Sequence, residues 1–307
     1  MNKSGRRTFL KYSALAASGF ASRSVFTSIA HGANAFSQMV SGAQFFAQAK
    51  NRPEVIAHRG GNGQWPGETL YAMRQAADLK VDALEMDVYL TKDGQLALMH
   101  DIRIQQTTNG KGLIHKFTLA QLQQLSAAYT WGGNGSSEYF HKTLAQLPED
   151  RRNDLRVPSL LEVFQQFPEM RMVIEMKPAL LSPAAPLYKL IRDHGMTDKV
   201  LVASFWGGFM KEFRALCEKD KVKIATSITV SVEDLSKFSA DAVQAPYQII
   251  KRDFVNKVKA RNLKLHAWTV NEIGEMERMI NLGVDGIITD YPGPLLSLLH
   301  RIQPAPG

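Results

Sequence analysis

Four short polar clusters interrupt apolar runs in this chain, and their residue types suit acid–base and metal chemistry. His58-Arg59-Gly60-Gly61 follows Val55-Ile56-Ala57, and Glu85-Met86-Asp87 lies inside the run 83–90. His100-Asp101 follows the run 96–99, and Glu175-Met176-Lys177 follows Met172-Val173-Ile174. Strand side chains alternate faces, so Glu85 and Asp87 point the same way, as do Glu175 and Lys177. Charges buried on one face are costly unless they are paired or bind a metal. Glu85, Asp87 and Glu175 converging at one mouth would form a site for a single hard divalent cation, Ca²⁺ or Mg²⁺. His58 and His100 beside such a cation suit a general acid and base near neutral pH. Each cluster alone has a bland alternative: a solvated strand face, a hydrogen-bonded strand end, an internal ion pair. Their joint occurrence at the ends of apolar runs argues for a site.

The elements that must position these residues alternate. Period-two and short apolar runs predict strands over 55–58, 83–90, 95–100, 172–176, 200–205, 223–228, 242–246 with 249–250, 264–270 and 286–289. Helical spacing predicts helices over 68–80, 158–167, 187–193, 209–218, 254–261, 273–282 and 294–302. Repeated strand–helix units imply a parallel sheet, and about eight of them favour a closed (β/α)₈ TIM barrel of the α/β class. Such barrels build catalysis at the C-terminal ends of their strands, where the polar clusters fall. Residues 109–155 break the rhythm and read as an insertion over one end of the barrel.

Composition narrows the classes further. A 45% hydrophobic and 21% charged chain has a globular core and is not disordered. The single cysteine, Cys217, excludes an intramolecular disulfide and a zinc site of several thiolates. Of the net charge of +8, five charges lie in residues 1–35 (Lys3, Arg6, Arg7, Lys11, Arg23), leaving +3 for the body. That residue does not suggest nucleic-acid binding. Arg6-Arg7-Thr8-Phe9-Leu10-Lys11 resembles the twin-arginine export motif, and a weakly apolar stretch leads to Ala33-Asn34-Ala35, a small-x-small cleavage pattern. Arg23 interrupts that stretch, which is too polar for a stable membrane span. The expected organisation is a signal peptide over 1–35, a linker over 36–53 and a barrel over 54–307, with the periplasm as destination.

In order along the chain, the motifs resemble those of the glycerophosphodiester phosphodiesterases, over 54–302. The resemblance rests on His-Arg-Gly at 58–60, Leu-Glu-Met-Asp-Val at 84–88, Thr-Lys-Asp-Gly at 91–94, His-Asp at 100–101 and Thr-Asn-Gly-Lys-Gly at 108–112. It continues with Pro-Ser-Leu-Leu-Glu at 158–162, Glu-Met-Lys at 175–177, Ala-Trp-Thr-Val-Asn at 267–271 and Gly-Val-Asp-Gly-Ile-Ile-Thr-Asp-Tyr-Pro at 283–292. It implies a (β/α)₈ barrel and metal-dependent hydrolysis of glycerophosphodiesters to sn-glycerol 3-phosphate and an alcohol. It implies that Glu85, Asp87 and Glu175 hold the metal and that His58 and His100 are the acid–base pair. Arg59 and Lys177 would face the phosphate, and Trp268 would line the glycerol side. One departure is the segment Pro66-Gly67-Glu68-Thr69, where the family usually has Pro-Glu-Asn-Thr. Glu68 is displaced by one position and is expected to open the following helix, outside the catalytic set.

Two matters stay open in the sequence: which histidine is acid, and whether the nucleophile is water or a glycerol hydroxyl. Tyr129, Trp131, Tyr139 and Phe140 in the insertion either contact the leaving group or, the favoured reading, pack the insertion onto the barrel. His115, His141, His194, His266 and His300 read as surface or packing residues, Met276 and Met279 as core, and Cys217 as a buried small apolar residue. The alternatives are a phospholipase D-like action on lysophospholipids and a non-catalytic binding barrel. The presence of both histidines and all three carboxylates argues against the latter. The expected partner is a small-molecule substrate, without nucleic acid or a stable membrane span; the sequence is silent on oligomeric state.

Overall fold

The computed structural model describes residues 44–47, 50–133, 137–178, 180–230 and 239–302. The expected export segment and most of the expected linker lie outside the described residues. Eight parallel strands close into a barrel: β1 (Glu54–Ala57), β2 (Ala83–Leu90), β4 (Met172–Met176), β5 (Val200–Ser204), β6 (Ala225–Thr229), β7 (Ala242–Pro246), β8 (Lys264–Trp268) and β9 (Gly286–Thr289). The pairing of β1 with both β9 and β2 closes the ring. A short β3 (Leu96–Leu98) runs antiparallel beside β2 after the Lys92-Asp93-Gly94 turn. Nearly every strand residue is buried because one face meets the barrel interior and the other the helices, as the continuous apolar runs require.

The two faces make two cores. Inside, Ile56, Ala83, Val173, Leu201, Ala225, Ala242 and Ile288 pack around Phe45. Phe45 comes from the stretch expected to be a linker; its ring closes the barrel interior from the N-terminal side. Outside, Val55, Leu84, Ile174, Val202 and Val243 meet the helical shell, which includes Met276 and Met279. Strand alternation then dictates that Glu85 and Asp87, two and four residues after Ala83, also point inward, as does Glu175 after Val173.

Several helix boundaries differ from expectation by a few residues: the first runs Leu70–Asp78, another Ala184–Asp193 and the last Pro292–Ile302. The stretch expected as a second piece of strand at 249–250 is instead the end of a 3₁₀ turn, Tyr247–Ile249, because Pro246 has no N–H to continue the ladder. Residues after β3 leave the barrel and fold on their own apolar contacts. Ile104, Ile114, Leu122, Ala127 and Val157 form one small core, and Ala128, Tyr139, Leu147 and Leu155 another. The insertion also contains a helix, Glu149–Leu155, that the polar sequence Glu-Asp-Arg-Arg-Asn-Asp concealed.

Candidate active site

The site is built from the inward residues at the C-terminal ends of β1, β2, β4, β8 and β9. His58 and Arg59 leave β1 through a tight turn, His58–Gly60, with Arg59 at φ 52°. A left-handed backbone under a long side chain costs on the order of 1 kcal/mol. Two contacts hold Arg59 there. Its N–H donates to Glu85 Oε2 at 2.9 Å, and its Nε lies 3.3 Å from Asp87 Oδ2. Gly60 must follow, because a Cβ there would stand 2.9 Å from the backbone carbon of Ala72.

Asp87 and Glu175 are direct register partners on β2 and β4, and Glu85 lies one step below Asp87 on the same face. One oxygen from each of the three carboxylates lies within 4.8 Å of the others, and all three residues are buried. Lys177 enters from the end of β4, its Nζ 3.0 Å from Asp87 Oδ1 and 2.8 Å from Glu175 Oε1.

Glu68 does not open the following helix. Thr69 does, its hydroxyl accepting from the Ala72 N–H as an N-cap. Glu68 takes a left-handed backbone (φ 59°) that turns its carboxyl inward, where Oε1 accepts from the Asp87 N–H at 3.0 Å. A fourth buried carboxyl thus backs the cluster. The sequence signal for it was the Pro-x-Glu-Thr pattern, masked by the one-residue displacement.

Four carboxyls face two permanent cations, Arg59 and Lys177. The excess negative charge displaces the acidities of the group. Burial pushes Glu175 up to about 7, with the charge of Asp87 adding to it. Burial also raises Glu85 and carries Glu68 well above the usual carboxylate range. For Asp87 burial acts the same way, but Lys177 and Arg59 outweigh it and hold the group below its ordinary value. Asp87 Oδ2 and Glu175 Oε1 stand at ion-pair distance from cations yet accept no aligned hydrogen bond. An all-oxygen, electron-rich set with spare acceptor capacity fits a hard divalent cation.

The two histidines flank this cluster in different settings. The His58 Nδ1 lies 2.6 Å from Asp290 Oδ1, and its Nε2 4.0 Å from Glu85 Oε2. Burial disfavours the charged ring, but Glu85 and the hydrogen-bonded Asp290 outweigh it and move His58 above its ordinary value. Asn271 Nδ2 in turn donates to Asp290 Oδ2 at 2.7 Å, and the Asp290 N–H donates to Asn271 Oδ1 at 3.0 Å. This relay of Asn271, Asp290 and His58 was missed. Both residues stand in quoted motifs, Val-Asn after β8 and Thr-Asp after β9, but only the closed barrel brings β9 beside β1. Among the described residues His100 pairs with its neighbour, its Nδ1 lying 3.1 Å from Asp101 Oδ1. Burial and the nearby Arg59 move it below its ordinary value.

Trp268 ends β8, half-buried, and its ring stands perpendicular to that of Phe205 at 5.7 Å. On the side of the insertion, Arg59, Asn62, Asp101, Thr107, Trp131 and Tyr291 line a polar groove of about 350 Å³. Trp131 Nε1 donates to the Asn62 carbonyl at 2.7 Å, fastening the insertion to the loop after β1. Tyr139 is buried against Tyr71, Phe140 is exposed and Tyr129 stacks with His141. His141, His194 and His300 are exposed, His115 is half-buried and His266 is fully buried below the site. Cys217 is buried, which pushes its thiol up to about 12.

The model of the glycerophosphoryl diester phosphodiesterase family matches residues 58–294. A glycerophosphodiester phosphodiesterase of Caldanaerobacter subterraneus is 31% identical over 80% of this chain and 98% of its own length. The fold is similar to a putative glycerophosphoryl diester phosphodiesterase from Silicibacter pomeroyi (TM-score 0.72, 22% identity, 85% of this chain and 98% of that one). An Oleispira antarctica phosphodiesterase, whose structure contains the product sn-glycerol-3-phosphate, is 28% identical at a TM-score of 0.68, covering 81% of this chain and 97% of that one. With the barrel, the carboxylate cluster and a match over most of its length, the chain belongs to the glycerophosphoryl diester phosphodiesterase family and is a phosphoric diester hydrolase.

Proposed function

We propose that this protein hydrolyses glycerophosphodiesters to sn-glycerol 3-phosphate and an alcohol, using a divalent cation held by Glu85, Asp87 and Glu175. The observation that carries this reading is the buried carboxylate cluster flanked by two histidines and two phosphate-seeking cations. When bound, the cation supplies positive charge that draws electron density from the phosphoryl group. Arg59, as a planar guanidinium, would engage two phosphate oxygens at once, and Lys177 would add a compact charge. Trp268 lines the glycerol side of the mouth.

His58 and His100 divide the proton work. Their opposite displacements favour one protonated and one neutral ring over the same pH range, as an acid–base pair requires. Asp290 holds the His58 ring by Nδ1, so Nε2 faces the carboxylates and the reacting phosphate. The test is release of glycerol 3-phosphate from glycerophosphocholine with Ca²⁺, with Mg²⁺ and with a chelator. Release that needs a divalent cation supports the reading and identifies the metal that serves. Equal release with the chelator would overturn the metal assignment, and no release under any condition would overturn the substrate.

Export is also proposed, on Arg6-Arg7 with Phe9-Leu10-Lys11. Changing both arginines to lysine should hold the protein in the cytoplasm. Unchanged recovery in the periplasmic fraction would refute the twin-arginine route. Among the described residues, no helix is long and apolar enough to cross a membrane.

A further inference from the structure

The mouth of the barrel is chemically lopsided. On the insertion side the groove beside Arg59 is lined by Asn62, Asp101 and Thr107 among others. On the opposite side apolar side chains stand in solvent. Eight large hydrophobics are exposed among the described residues, and five of them lie just past the C-terminal ends of β4, β5 and β8. They are Leu180 (84% exposed), Leu181 (61%), Phe205 (46%), Trp206 (54%) and Ile273 (41%). Single exposed hydrophobics are ordinary, but a cluster around an active-site mouth marks an interaction surface. Because β4 and β5 are paired, Leu180-Leu181 and Phe205-Trp206 rise from adjacent strands.

We propose that this rim docks the enzyme on a lipid layer and presents the catalytic mouth to glycerophosphodiester groups carried at that surface. The inference rests on the phosphodiesterase reading. Three features choose a lipid layer as the occupant. The residues are Leu, Phe and Trp, which partition into the headgroup–acyl boundary. They project from strand-end loops, with Leu180 almost fully in water, so they suit insertion and not the lining of a closed cavity. They also continue into the site, because Phe205 packs edge-on against Trp268 at the end of β8. A protein seated on the same rim would cover the mouth, whereas a lipid surface there supplies the very diester groups the site acts on. Soluble glycerophosphodiesters, having no apolar part, give the rim nothing to bind.

The test uses the full chain and vesicles of phosphatidylcholine alone, so that the net charge of +8 adds no attraction to an anionic surface. The triple variant Leu180→Ser, Leu181→Ser, Trp206→Ser should lose at least about tenfold in vesicle partitioning. Its turnover of soluble glycerophosphocholine should stay within about twofold of the parent, since none of the three touches the carboxylates or histidines. Both proteins share the basic N-terminus, so its contribution cancels in the comparison.

A second measurement isolates the rim itself. A polarity-sensitive dye on Leu180→Cys, in a Cys217→Ser background, should shift to the blue on vesicles. The same dye on Lys223→Cys, an exposed position just before β6 at the other end, should not. Equal partitioning of parent and triple variant together with an unshifted Leu180 dye would overturn the proposal. So would a blue shift at both dye positions, which would signal unspecific adsorption. Loss of glycerophosphocholine turnover in the parent would sink the phosphodiesterase reading instead, and leaves the vesicle result distinct.

Discussion

At the N-terminal end of the barrel, Glu54 has one buried partner, Arg171, at 2.7 Å; at the C-terminal end, four buried carboxyls share Arg59 and Lys177. Both ends bury charge, but at the lower end each buried carboxyl has its own cationic partner, although Glu54 Oε2 accepts no hydrogen bond. Arg171 also donates to the Phe45 carbonyl and covers the Phe45 ring, and Asp82 takes Lys50, Arg52 and the Val55 N–H. The upper end has more buried carboxyls than cations, and three of their oxygens, Glu68 Oε2, Asp87 Oδ2 and Glu175 Oε1, accept no hydrogen bond. The contrast teaches where a ligand belongs. Buried charge that meets an opposite charge one for one belongs to the fold, whereas buried charge in excess needs something from outside to balance it. The fold tolerates the second because the first, with the two cores, supplies its stability.

The comparison can be broken at either end. Arg171→Met, which strands Glu54 in the interior, should cost about 3–5 kcal/mol in chemical denaturation while leaving kcat unchanged in the fraction that folds. A comparable fall in kcat would mean that the lower end is coupled to catalysis after all.

The pH profiles of stability should run in opposite directions. Burial pushes His266, at the middle of β8 with its ring beside Phe46, down to about 4. Its folded value lies below its ordinary 6.5, so its contribution is complete above pH 6.5 and is lost as the pH falls toward 4, by up to about 3 kcal/mol. Glu175, at the upper end, is raised from 4.5 to about 7. The metal-free protein therefore gains stability from this group as the pH drops from about 7 to 4.5. Thermal midpoints in a chelator, for the parent, His266→Leu and Glu175→Gln, separate the two slopes. A parent profile that does not flatten at its acidic edge in His266→Leu would remove His266 as the cause.

At the upper end, His58→Ala and His100→Ala should each lower turnover by about 100-fold or more, near 2.7 kcal/mol, with little change in melting temperature. Retained activity in both would remove them as the acid–base pair. Glu175→Gln should abolish divalent-cation binding by calorimetry yet raise the metal-free melting temperature at pH 8, by on the order of 1 kcal/mol of stability. A drop in that melting temperature would show that the Lys177 pairing outweighs the crowding of carboxylates. Smallest of all, Lys264→Ala removes a half-exposed partner of Asp285 and should cost under about 1 kcal/mol.

Much of the site was legible in the chain because it rests on short-range rules. Period-two alternation put Glu85 with Asp87 and Glu175 with Lys177 on shared faces, and repeated strand–helix units made a barrel the economical fold. The insertion was legible only as an interruption. Its cores are small and its helix Glu149–Leu155 is polar nearly all round, so no periodicity announced them. Glu68 was misread because its inward turn depends on a left-handed backbone, which a non-glycine residue adopts only when surrounding contacts impose it.

The sequence by itself determined the residue types, the faces they occupy and the order of the strands, since these follow from local sterics and hydrophobic burial. Only the tertiary structure decided which charges meet. Asp290 and His58 are separated by most of the chain, and nothing local links them. Closing the ring sets β9 against β1 and the register sets Asp87 against Glu175, and that closure turns separate strand ends into one site. The physical reason is range: propensity and periodicity act over a few residues, whereas electrostatic balance is fixed by distances that exist only once the barrel has closed.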